Sequence, residues 1–316
     1  MNPDPRPRLA VVIPVFRAGF LGEALDSVFA QTCRADEVIV VDDGSPDRGP
    51  LGDAVGRWGR RLRVIAQENT GAGAARNRGI LASDADLIAF LDADDRWVPQ
   101  HLEVQQHELA AHPACDVVYA NAVYIGRTPL AGQRFMDVCP SRGDVTAAAL
   151  LAQRCHIALS TAVVRRRALL DAGLFDESLR RGQDFDLWLR MALAGTRFHR
   201  HAEVLMHHRI HDDNLSGPHR IRMERAAGVF RKALDRLPLS GAERTLAAAQ
   251  LRRFEAAIAV ERGKDLLTRG EVAAARAALA AAFRAAAHWK VGAALLGLRV
   301  APTLVQRVVK ARSPGL

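Results

Sequence analysis

A short apolar run that ends in three carboxylates constrains this chain more than any other feature. Residues 87–91 are apolar throughout, and Asp92, Asp94 and Asp95 follow within the next four positions. Such a run is typical of a buried strand, and ligands of open α/β sheets bind at the carboxyl ends of the strands. Because clustered carboxylates repel one another, they need a cation or a hydrogen-bond network. We therefore predict a divalent metal ion held by Asp94, with Asp92 and Asp95 beside it.

An alternative interpretation of the same residues needs no metal ion. Asp95 could cap a helix that begins near Trp97 and Pro99, and the other two acids could then face solvent. The remaining segments of the chain have to decide between these two interpretations.

Strand-like and helix-like segments alternate through the first 91 residues. Three further strand-like segments lie at 9–14, 37–41 and 62–66, and helical patterns separate them. The first is apolar throughout, which is typical of a strand buried on both faces. This alternation predicts a parallel α/β sheet with right-handed crossovers. We expect Pro14 to end the pairing of the first strand, because proline lacks a backbone N–H.

Acidic residues also close the second apolar run. Asp42 and Asp43 follow it directly, so two acidic strand ends are predicted at one edge of the sheet. Their oxygens could accept hydrogen bonds from a base or a ribose. In the alternative interpretation they form a turn, since Asp-Gly-Ser-Pro is good turn chemistry.

The glycine-containing segment 70–79 has the spacing of neither a Walker loop nor a dinucleotide fingerprint. We predict that it begins a helix under the ligand and directs Arg76 towards it. The alternative is an ordinary helix with one exposed arginine.

Two further candidates lie later in the chain. Asp184 begins a predicted helix, where the helix dipole alone would favour a carboxylate, and it could instead be a general base that faces the pocket. His207, His208 and His211 follow a predicted strand at 198–206. Of these histidines we select His211 as a candidate metal ligand.

The charge of the chain is divided unevenly. Its formal net charge is +9, but the segment from Pro218 onward carries 19 Lys and Arg against 7 Asp and Glu. We therefore predict two domains, 1–217 and 218–316, and exclude nucleic acid as a partner of the mildly acidic first domain. The second domain is predicted to form two or three helices. Its last segment, 289–312, is basic and amphipathic, which predicts an anionic membrane surface as partner or packing against a neighbouring helix.

Several features predict a cytoplasmic protein, held in part at the inner face of the cell membrane by its basic tail. No apolar run reaches the length of about 18 residues expected of a transmembrane helix. The proline-rich start lacks the apolar segment of a secretory signal. The four cysteines, Cys33, Cys115, Cys139 and Cys155, form no Cys-x-x-Cys pair, and we interpret them as free thiols in a reducing compartment rather than as zinc ligands.

Taken together, five segments make the chain resemble the inverting family 2 glycosyltransferases of the GT-A fold. They are Val-Val-Ile-Pro-Val at 11–15, Val-Val-Asp-Asp-Gly-Ser at 40–45, the segment 69–79, the Asp-x-Asp motif at 92–94, and Gly-Gln-Asp at 182–184. The similarity extends over about residues 8–217. It implies an α/β fold with a GT-A-type, Rossmann-like mixed sheet flanked by helices, followed by an all-helical C-terminal region.

The resemblance implies a role for each candidate residue. The nucleotide-diphosphate sugar is expected to bind near Pro14, Val15, Asp42, Asp43, Arg76 and Asp92. Mn²⁺ or Mg²⁺ is expected on Asp94, with His211 as a further ligand, and would stabilise the charge of the leaving group. Asp184 would remove the proton from an acceptor hydroxyl as that oxygen attacks the anomeric carbon. The acceptor would be a glycan, a lipid-linked molecule or another hydroxyl compound of bacterial glycan or glycoconjugate synthesis.

Two departures from the family pattern motivate alternative functions. Phe16 and Arg17 stand where Tyr-Asn is common, and Gln183 replaces the usual Glu, so a supporting charge beside Asp184 is missing. The change at Gln183 would suit a catalytically weak nucleotide-sugar or carbohydrate-binding module. A sugar nucleotidyltransferase is the other alternative, but it would need a glycine-rich, basic first loop, and this loop offers only Arg17 and Gly19.

Overall fold

The computed structural model describes residues 6–46, 48–211 and 219–312. The chain divides into two compact units, Met1–Asn214 and Leu215–Leu316. In its described residues the first unit contains an eight-stranded sheet with helices on both faces, and the second unit consists of helices. The predicted α/β class with an all-helical C-terminal region is therefore confirmed.

All strands of the first unit that the structure describes belong to one mixed sheet. In chain order they are β1 (Leu9–Val15), β2 (Glu37–Asp43), β3 (Arg63–Gln67), β4 (Leu87–Phe90), β5 (Arg96–Trp97), β6 (Val117–Gly126), β7 (Ala162–Arg165) and β8 (Phe198–Ile210). Their order in space is β3-β2-β1-β4-β7-β6-β8-β5, and β1 to β4 run parallel. The chain moves from β1 to β3 in one direction and then returns to place β4 on the other side of β1. This reversal creates a crevice at the carboxyl ends of β1 and β4, where ligands of α/β sheets bind.

Helices cover both faces of this sheet. They are α1 (Leu21–Phe29), α2 (Arg48–Trp58), α3 (Ala72–Leu81), α4 (His101–Ala111), α5 (Phe135–Val138), α6 (Ala147–Leu151), α7 (Arg166–Asp171) and α8 (Gln183–Leu193). Val11, Ile13 and Val40 share one apolar core with residues of α1, α2 and α4. Ile39 and Val41 point to the opposite face and pack against α3. The continuous apolar runs in the sequence thus reflect strands buried on both faces.

The helix α3 lies unusually close to the sheet. A Cβ atom on Gly79 would collide with the side chain of Val12 in β1, so this close approach requires glycine. The same close packing carries Arg76, one turn earlier on α3, to the carboxyl end of the sheet.

The end of β1 differs from the prediction. Pro14 does not end the strand but pairs with Val41, and the pairing continues to Val15. Pairing of β1 with β4 has already stopped at Val12. A proline is tolerated here because β1 has a neighbouring strand on one side alone at this point, so its missing N–H interrupts no ladder.

The strand β8 is longer than predicted, and its extension positions part of the site. It continues past Met206 to Ile210, because Met206 and His207 pair with β5 while the following residues pair with the end of β6. The extension brings His208 and the residues after it to the carboxyl end of β4.

Five helices, not the predicted two or three, make up the described residues of the second unit. They are α9 (His219–Arg236), α10 (Gly241–Thr268), α11 (Val272–Ala285), α12 (Trp289–Val300) and α13 (Pro302–Arg312). A capping box of Ser240 and Glu243 begins α10, Gly270 with a φ of 85° separates α10 from α11, and Pro302 takes the first position of α13. Because the sequence is uniformly rich in alanine, the spacing of apolar residues alone does not predict where these helices begin and end. Within the described residues, none of the helices is both long and apolar enough to cross a membrane.

The segment predicted as one basic amphipathic element is two helices, α12 and α13. Val305 and Val309 of α13 pack against the apolar core of the second unit. Leu304 and Val308 of the same helix are exposed. Packing against neighbouring helices therefore explains the apolar residues Val305 and Val309, while Leu304 and Val308 remain exposed to solvent.

Candidate active site

Three carboxylates meet at the carboxyl end of β4. One oxygen from each of Asp92, Asp94 and Asp95 lies within 4.8 Å of the others. The N–H of Asp95 donates to the carbonyl of Asp92 at 3.0 Å, so a tight turn holds the three residues together. The N–H of Asp92 donates to the hydroxyl of Ser160 at 3.0 Å, which fixes the start of the turn. This acidic turn lies at the crevice beside β1.

Asp95 is the buried member of the acidic turn, with 2% of its surface exposed. It accepts hydrogen bonds from the N–H of Arg209 at 2.9 Å and from Nδ1 of His208 at 3.1 Å. Burial lowers the pKa of His208, but the Asp95 carboxylate outweighs that effect and raises it to about 9. Asp95 and His208 therefore form an ion pair that ties β8 to the acidic turn. The interpretation of Asp95 as a helix cap is wrong, because α4 begins only at His101.

Asp94 is partly exposed and faces a histidine. Its Oδ2 lies 3.1 Å from Nε2 of His211, the residue that follows β8. Burial, and then the like charges of Asp95 and Asp92, raise the pKa of Asp94 to about 6, although His211 opposes the shift. A cation would relieve this repulsion, and carboxylate oxygens with one imidazole are ligands that suit Mn²⁺ or Mg²⁺. The side chains present therefore fit a divalent ion on Asp94 and His211.

Arg76 is buried beside the acidic turn, with 6% of its surface exposed. Its Nη2 donates to Oδ1 of Asp92 at 2.5 Å, and its Nη1 donates to Oε1 of Gln183 at 3.4 Å. The guanidinium also lies 5.5 Å from the ring centre of Phe175. Arg76 is thus held on three sides, and the interpretation of an exposed arginine on an ordinary helix is wrong.

The first turn of α8 lies next to Arg76. Gln183 is buried and bridges Arg76 to a backbone carbonyl of the preceding turn, which it reaches at 2.5 Å. Asp184 follows it and is partly exposed. The protein packed around the Asp184 carboxylate raises its pKa above the ordinary value; the backbone of Phe185 and the charge of Arg76 oppose the shift, and Asp92 adds to it. A carboxylate with a raised pKa in a crevice is suited to accept a proton during a reaction.

Asp42 lies at the adjoining ends of β1 and β2. It pairs with Val15 across the sheet and is buried. Its oxygens accept from the N–H of Ser45 at 2.8 Å and from Nη1 of Arg48 at 2.9 Å. The side chains of Pro14 and Val15 are buried as well, so a ligand at this edge would meet the backbone of β1.

Asp43 connects β2 to the start of α3. Its two oxygens accept from the N–H groups of Thr70 and Gly71, each at 2.9 Å. A carboxylate that accepts two backbone N–H groups fixes the conformation of the chain that donates them. Asp43 thereby sets the entry into the helix that carries Arg76.

The structure adds three residues to the site: Ser160 and Arg209, which the sequence did not indicate, and His208, one of the histidines passed over in favour of His211. Ser160 holds the start of the acidic turn, His208 pairs with Asp95, and Arg209 donates from Nε to the carbonyl of Asp94 at 3.0 Å. Ser160 belongs to no motif. The roles of His208 and Arg209 would have been found only by extending β8 beyond its apolar residues.

A comparison with known protein families decides the class of the protein. The family described as "Glycosyl transferase family 2" matches residues 10–173, slightly more than half of the chain. The chain belongs to glycosyltransferase family 2. The family resemblance stated from the motifs is therefore confirmed, and a nucleotidyltransferase is disfavoured. Asp184 and His211 lie beyond the matched residues.

Curated relatives of the chain cover part of its length. An uncharacterized glycosyltransferase of Rickettsia typhi (strain ATCC VR-144 / Wilmington) is 31% identical over 215 residues, which are 65% of this chain and 65% of the relative. The succinoglycan biosynthesis protein ExoW of Rhizobium meliloti (strain 1021) is 45% identical over 103 residues, 30% of this chain and 32% of ExoW. The chain thus spans about a third to two thirds of the length of these relatives.

Solved structures share the fold over nearly the whole chain. S. aureus TarS in complex with UDP-GlcNAc aligns with a TM-score of 0.62 and 17% identity, over 96% of this chain and 90% of that chain. A mannosyltransferase from Pyrobaculum calidifontis in complex with GDP-Man and Mn²⁺ aligns with a TM-score of 0.60 and 24% identity, over 97% and 86%. At these identities the likeness shows the fold alone. It confirms the GT-A-type mixed-sheet fold predicted for this chain.

Proposed function

We propose that this family 2 glycosyltransferase moves a sugar from a nucleotide-diphosphate sugar to an acceptor hydroxyl, inverts the anomeric carbon and depends on a divalent metal ion. The observation that carries the proposal is the convergence of Asp94, Asp92, Arg76 and Asp184 at one crevice. Arg76 contacts Asp92 directly, and Asp92 affects the pKa of both Asp94 and Asp184. The crevice therefore brings candidate metal ligands, a positive charge and a candidate general base close enough to influence one another electrostatically.

The nucleotide of the donor would lie along the ends of β1 and β2. The backbone of Pro14 and Val15 and the buried Asp42 border this edge. Asp92, partly exposed at the adjoining end of β4, would accept a hydrogen bond from a ribose hydroxyl. Asp43 would contribute by holding the backbone that leads into α3. The nucleotide sugars bound in the related structures support a donor of this class.

The diphosphate of the donor would lie against Arg76 and the metal ligands. Asp94 and His211 would hold Mn²⁺ or Mg²⁺, and the ion would supply positive charge that stabilises the departing nucleoside diphosphate. The Mn²⁺ in the related mannosyltransferase structure supports this cofactor. Because Arg76 is fixed by Asp92 and Gln183, its charge requires little reorganisation when negative charge develops on the leaving group.

Asp184 would act as the general base. The acceptor hydroxyl gives its proton to the Asp184 carboxylate while its oxygen forms a bond to the anomeric carbon. The bond from that carbon to the diphosphate breaks on the opposite face, and its electron pair leaves with the nucleoside diphosphate. The base must start unprotonated, and its pKa is raised. As the pH is lowered, activity should therefore begin to fall at a higher pH than it would with an ordinary aspartate as base.

Replacing this base tests the proposed mechanism. In Asp184→Asn we expect turnover to fall by about 10²- to 10⁴-fold, the usual contribution of a general base, while donor affinity measured by calorimetry stays unchanged. Asp171→Asn, an exposed carboxylate on α7, is the matched control and should keep full turnover. Near-normal turnover in Asp184→Asn would show that another group removes the proton.

Replacing Asp94 tests the metal assignment. We expect Asp94→Ala to lose the Mn²⁺-dependent part of donor affinity, because the substitution removes a carboxylate ligand from the acidic turn. Calorimetry with and without Mn²⁺ measures this difference, and a thermal-shift panel of nucleotide sugars would first identify the donor. An affinity that responds to Mn²⁺ as in the unaltered enzyme would contradict the assignment.

We place the reaction in bacterial polysaccharide or glycoconjugate synthesis. The name of ExoW, which assigns that relative to succinoglycan biosynthesis, supports this placement. All four cysteines, which lie in the described part of the chain, are free thiols, as suits the reducing cytoplasm. The acceptor would then be a glycan or a lipid-linked hydroxyl compound. Radiolabelled transfer from the identified donor to lipid extracts, compared with soluble oligosaccharides, distinguishes these acceptors.

An anionic membrane surface is the proposed partner of the second unit. Trp289, Leu296 and Val300 lie on one face of α12 and are exposed, Trp289 by 73% and Val300 by 78%. After Glu271 the sequence has seven Lys and Arg and no acidic residue. Exposed apolar side chains among unopposed basic residues suit the headgroup region of an anionic lipid layer.

Vesicle binding tests this partner. We expect binding to phosphatidylglycerol vesicles and weaker binding to phosphatidylcholine vesicles. The double substitution Trp289→Ala with Val300→Ala should weaken the former by about tenfold or more, because two apolar side chains no longer leave water. Leu170→Ala, at an exposed apolar residue of the first unit, should have no effect. Equal binding to both lipids, or none, would contradict the proposal.

A further inference from the structure

A second group of metal-ligating side chains lies between α4 and β8, away from the acidic turn. Glu108 belongs to the last turn of α4, His112 is the residue that ends this helix, and His199 is the second residue of β8. One ligand atom from each of the three lies within 4.8 Å of the others. His199 precedes His208 by nine positions on the same strand, a distance of about 30 Å at the rise of an extended chain. The group is therefore separate from the catalytic crevice.

The carboxylate of Glu108 is the centre of this group. Its Oε2 lies 3.0 Å from Nε2 of His199 and 3.6 Å from Nδ1 of His112. Ligand atoms bound tetrahedrally to one ion at about 2.1 Å lie about 3.4 Å from one another. The two separations measured from Oε2 lie on either side of this value, and the third lies within 4.8 Å, so side-chain rotations would bring all three atoms onto one ion.

The two imidazole rings lie face to face beside the carboxylate, and because each nitrogen lone pair lies in its ring plane, the rings would have to turn about their Cβ–Cγ bonds to bind one ion. They stack with their centres 3.7 Å apart and an angle of 20° between the ring planes. All three side chains are partly exposed, so an ion can enter from solvent and keep water at its remaining positions. A bound ion would replace the His199 proton that now points at Glu108, and that proton would pass to solvent.

The backbone tolerates this exchange. Nδ1 of His112 now donates to the carbonyl of Glu108 at 3.0 Å, and this bond would be lost if Nδ1 became a ligand. The same carbonyl also accepts from the backbone N–H of His112 at 3.0 Å, so it stays paired. Binding therefore leaves no buried backbone group without a hydrogen bond.

We propose that Glu108, His112 and His199 form a second cation site, which takes a first-row transition metal such as Zn²⁺ and fastens the end of α4 to the start of β8. Two imidazoles and one carboxylate are ligands that favour Zn²⁺, Ni²⁺ or Cu²⁺ over Mg²⁺ and Mn²⁺. The acidic turn offers mainly oxygen, and such ligands suit Mg²⁺ and Mn²⁺. The chain thus separates two kinds of cation by the chemistry of their ligands.

Zn²⁺ alone, titrated into the metal-free full-length protein, tests the site by calorimetry and thermal shift, with Co²⁺ as a spectroscopic probe. We expect one Zn²⁺ equivalent that persists in Asp94→Asn and a Co²⁺ absorption band in the visible range. His112→Gln and His199→Gln, made separately, should each lower Zn²⁺ affinity by more than about tenfold. His107→Gln, an exposed histidine on the same helix, should bind Zn²⁺ as the unaltered protein does.

A rescue variant distinguishes a metal ligand from a residue needed for folding. His199→Cys removes the imidazole but keeps a side chain that ligates Zn²⁺, so it should recover binding that His199→Gln loses. Far-UV circular dichroism would confirm that each variant keeps its fold. The proposal is overturned if the unaltered protein binds no Zn²⁺ beyond the acidic turn, or if both glutamine variants bind it as tightly as the unaltered protein.

Discussion

The imidazole of His101 should make the stability of the first unit depend on pH. The residue is completely buried at the start of α4, and its ring stacks on Trp97 with centres 4.2 Å apart. Nδ1 donates to the carbonyl of Leu205 at 3.2 Å, while Nε2 is buried without a hydrogen-bond partner among the described residues. Burial lowers the pKa of His101 to about 3, so the folded protein keeps this ring neutral.

The size of the effect follows from the difference between folded and unfolded states. An unfolded histidine has a pKa of about 6.5. Between pH 6.5 and about pH 3, His101 is therefore protonated in the unfolded chain and neutral in the folded protein. The contribution of His101 to the free energy of unfolding is fully present above pH 6.5 and decreases as the pH falls from 6.5 towards about 3. At pH 5 the loss amounts to about 2 kcal/mol, and at pH 7.5 it is close to zero.

The substitution His101→Phe removes the titrating group and keeps a ring against Trp97. The carbonyl of Leu205 stays paired because it also accepts from the N–H of Val98 at 3.1 Å. Urea unfolding followed by tryptophan fluorescence would give the free energy of unfolding at several pH values. From pH 7.5 to pH 5 the unaltered protein should lose about 2 kcal/mol more of its free energy of unfolding than the variant does. This difference is expected whatever the stability of the variant at pH 7.5.

The control is His107→Phe, because His107 is exposed on the same helix. Its free energy of unfolding should follow that of the unaltered protein across the pH range. Parallel curves for His101→Phe and the unaltered protein would refute the reasoning, since they would mean that the folded protein accepts a proton at His101 as readily as the unfolded chain.

Three further predictions concern single structural features. Gly79→Ala should lower the free energy of unfolding by about 1 to 3 kcal/mol through overpacking between α3 and β1. Gly22→Ala, with nothing within 4 Å of the added atom, is the control and should not destabilise the protein. Equal urea midpoints for the two variants would contradict this explanation. Arg190→Met removes an ion pair with the buried Asp186 at 2.8 Å and hydrogen bonds to two backbone carbonyls, and we expect a loss of about 3 kcal/mol in the same assay. Ser240→Ala breaks the capping box of α10 and should cost the helical unit about 1 kcal/mol, measured by circular dichroism, with an unchanged melting curve as the contrary result.

The sequence by itself indicated the first half of the fold and the acidic residues of its crevice. A strand buried on both faces must be apolar at every position, so β1, β2 and β4 can be recognised from adjacent residues alone. The carboxyl ends of parallel strands lie at one edge, which is why Asp42 and Asp92 could be placed together before any coordinates were known. These inferences need only the local pattern and the direction of the chain.

Some residues were assigned to the correct region, but their contacts could not be read from the pattern. Asp43 was predicted as a contact for the nucleotide, and its two oxygens hold the start of α3. The pattern allows Asp95 to be a helix cap, and the structure buries it in an ion pair with His208. A carboxylate accepts hydrogen bonds from any donor within reach, so its partners depend on which backbone comes near it.

Only the tertiary structure decided what completes the acidic turn. Ser160, His208 and Arg209 come from segments between 68 and 115 positions away along the chain. His208 and Arg209 reach Asp95 and Asp94 because β8 adds beside β6 and pairs with β5, and Ser160 reaches Asp92 because it precedes β7, which pairs with β4. These positions depend on strand pairing across the whole unit. No local property of these residues encodes that pairing, since the free energy that selects it comes from burying the entire sheet. The sequence therefore determined which carboxylates end β4, and the packed sheet determined which partners surround them.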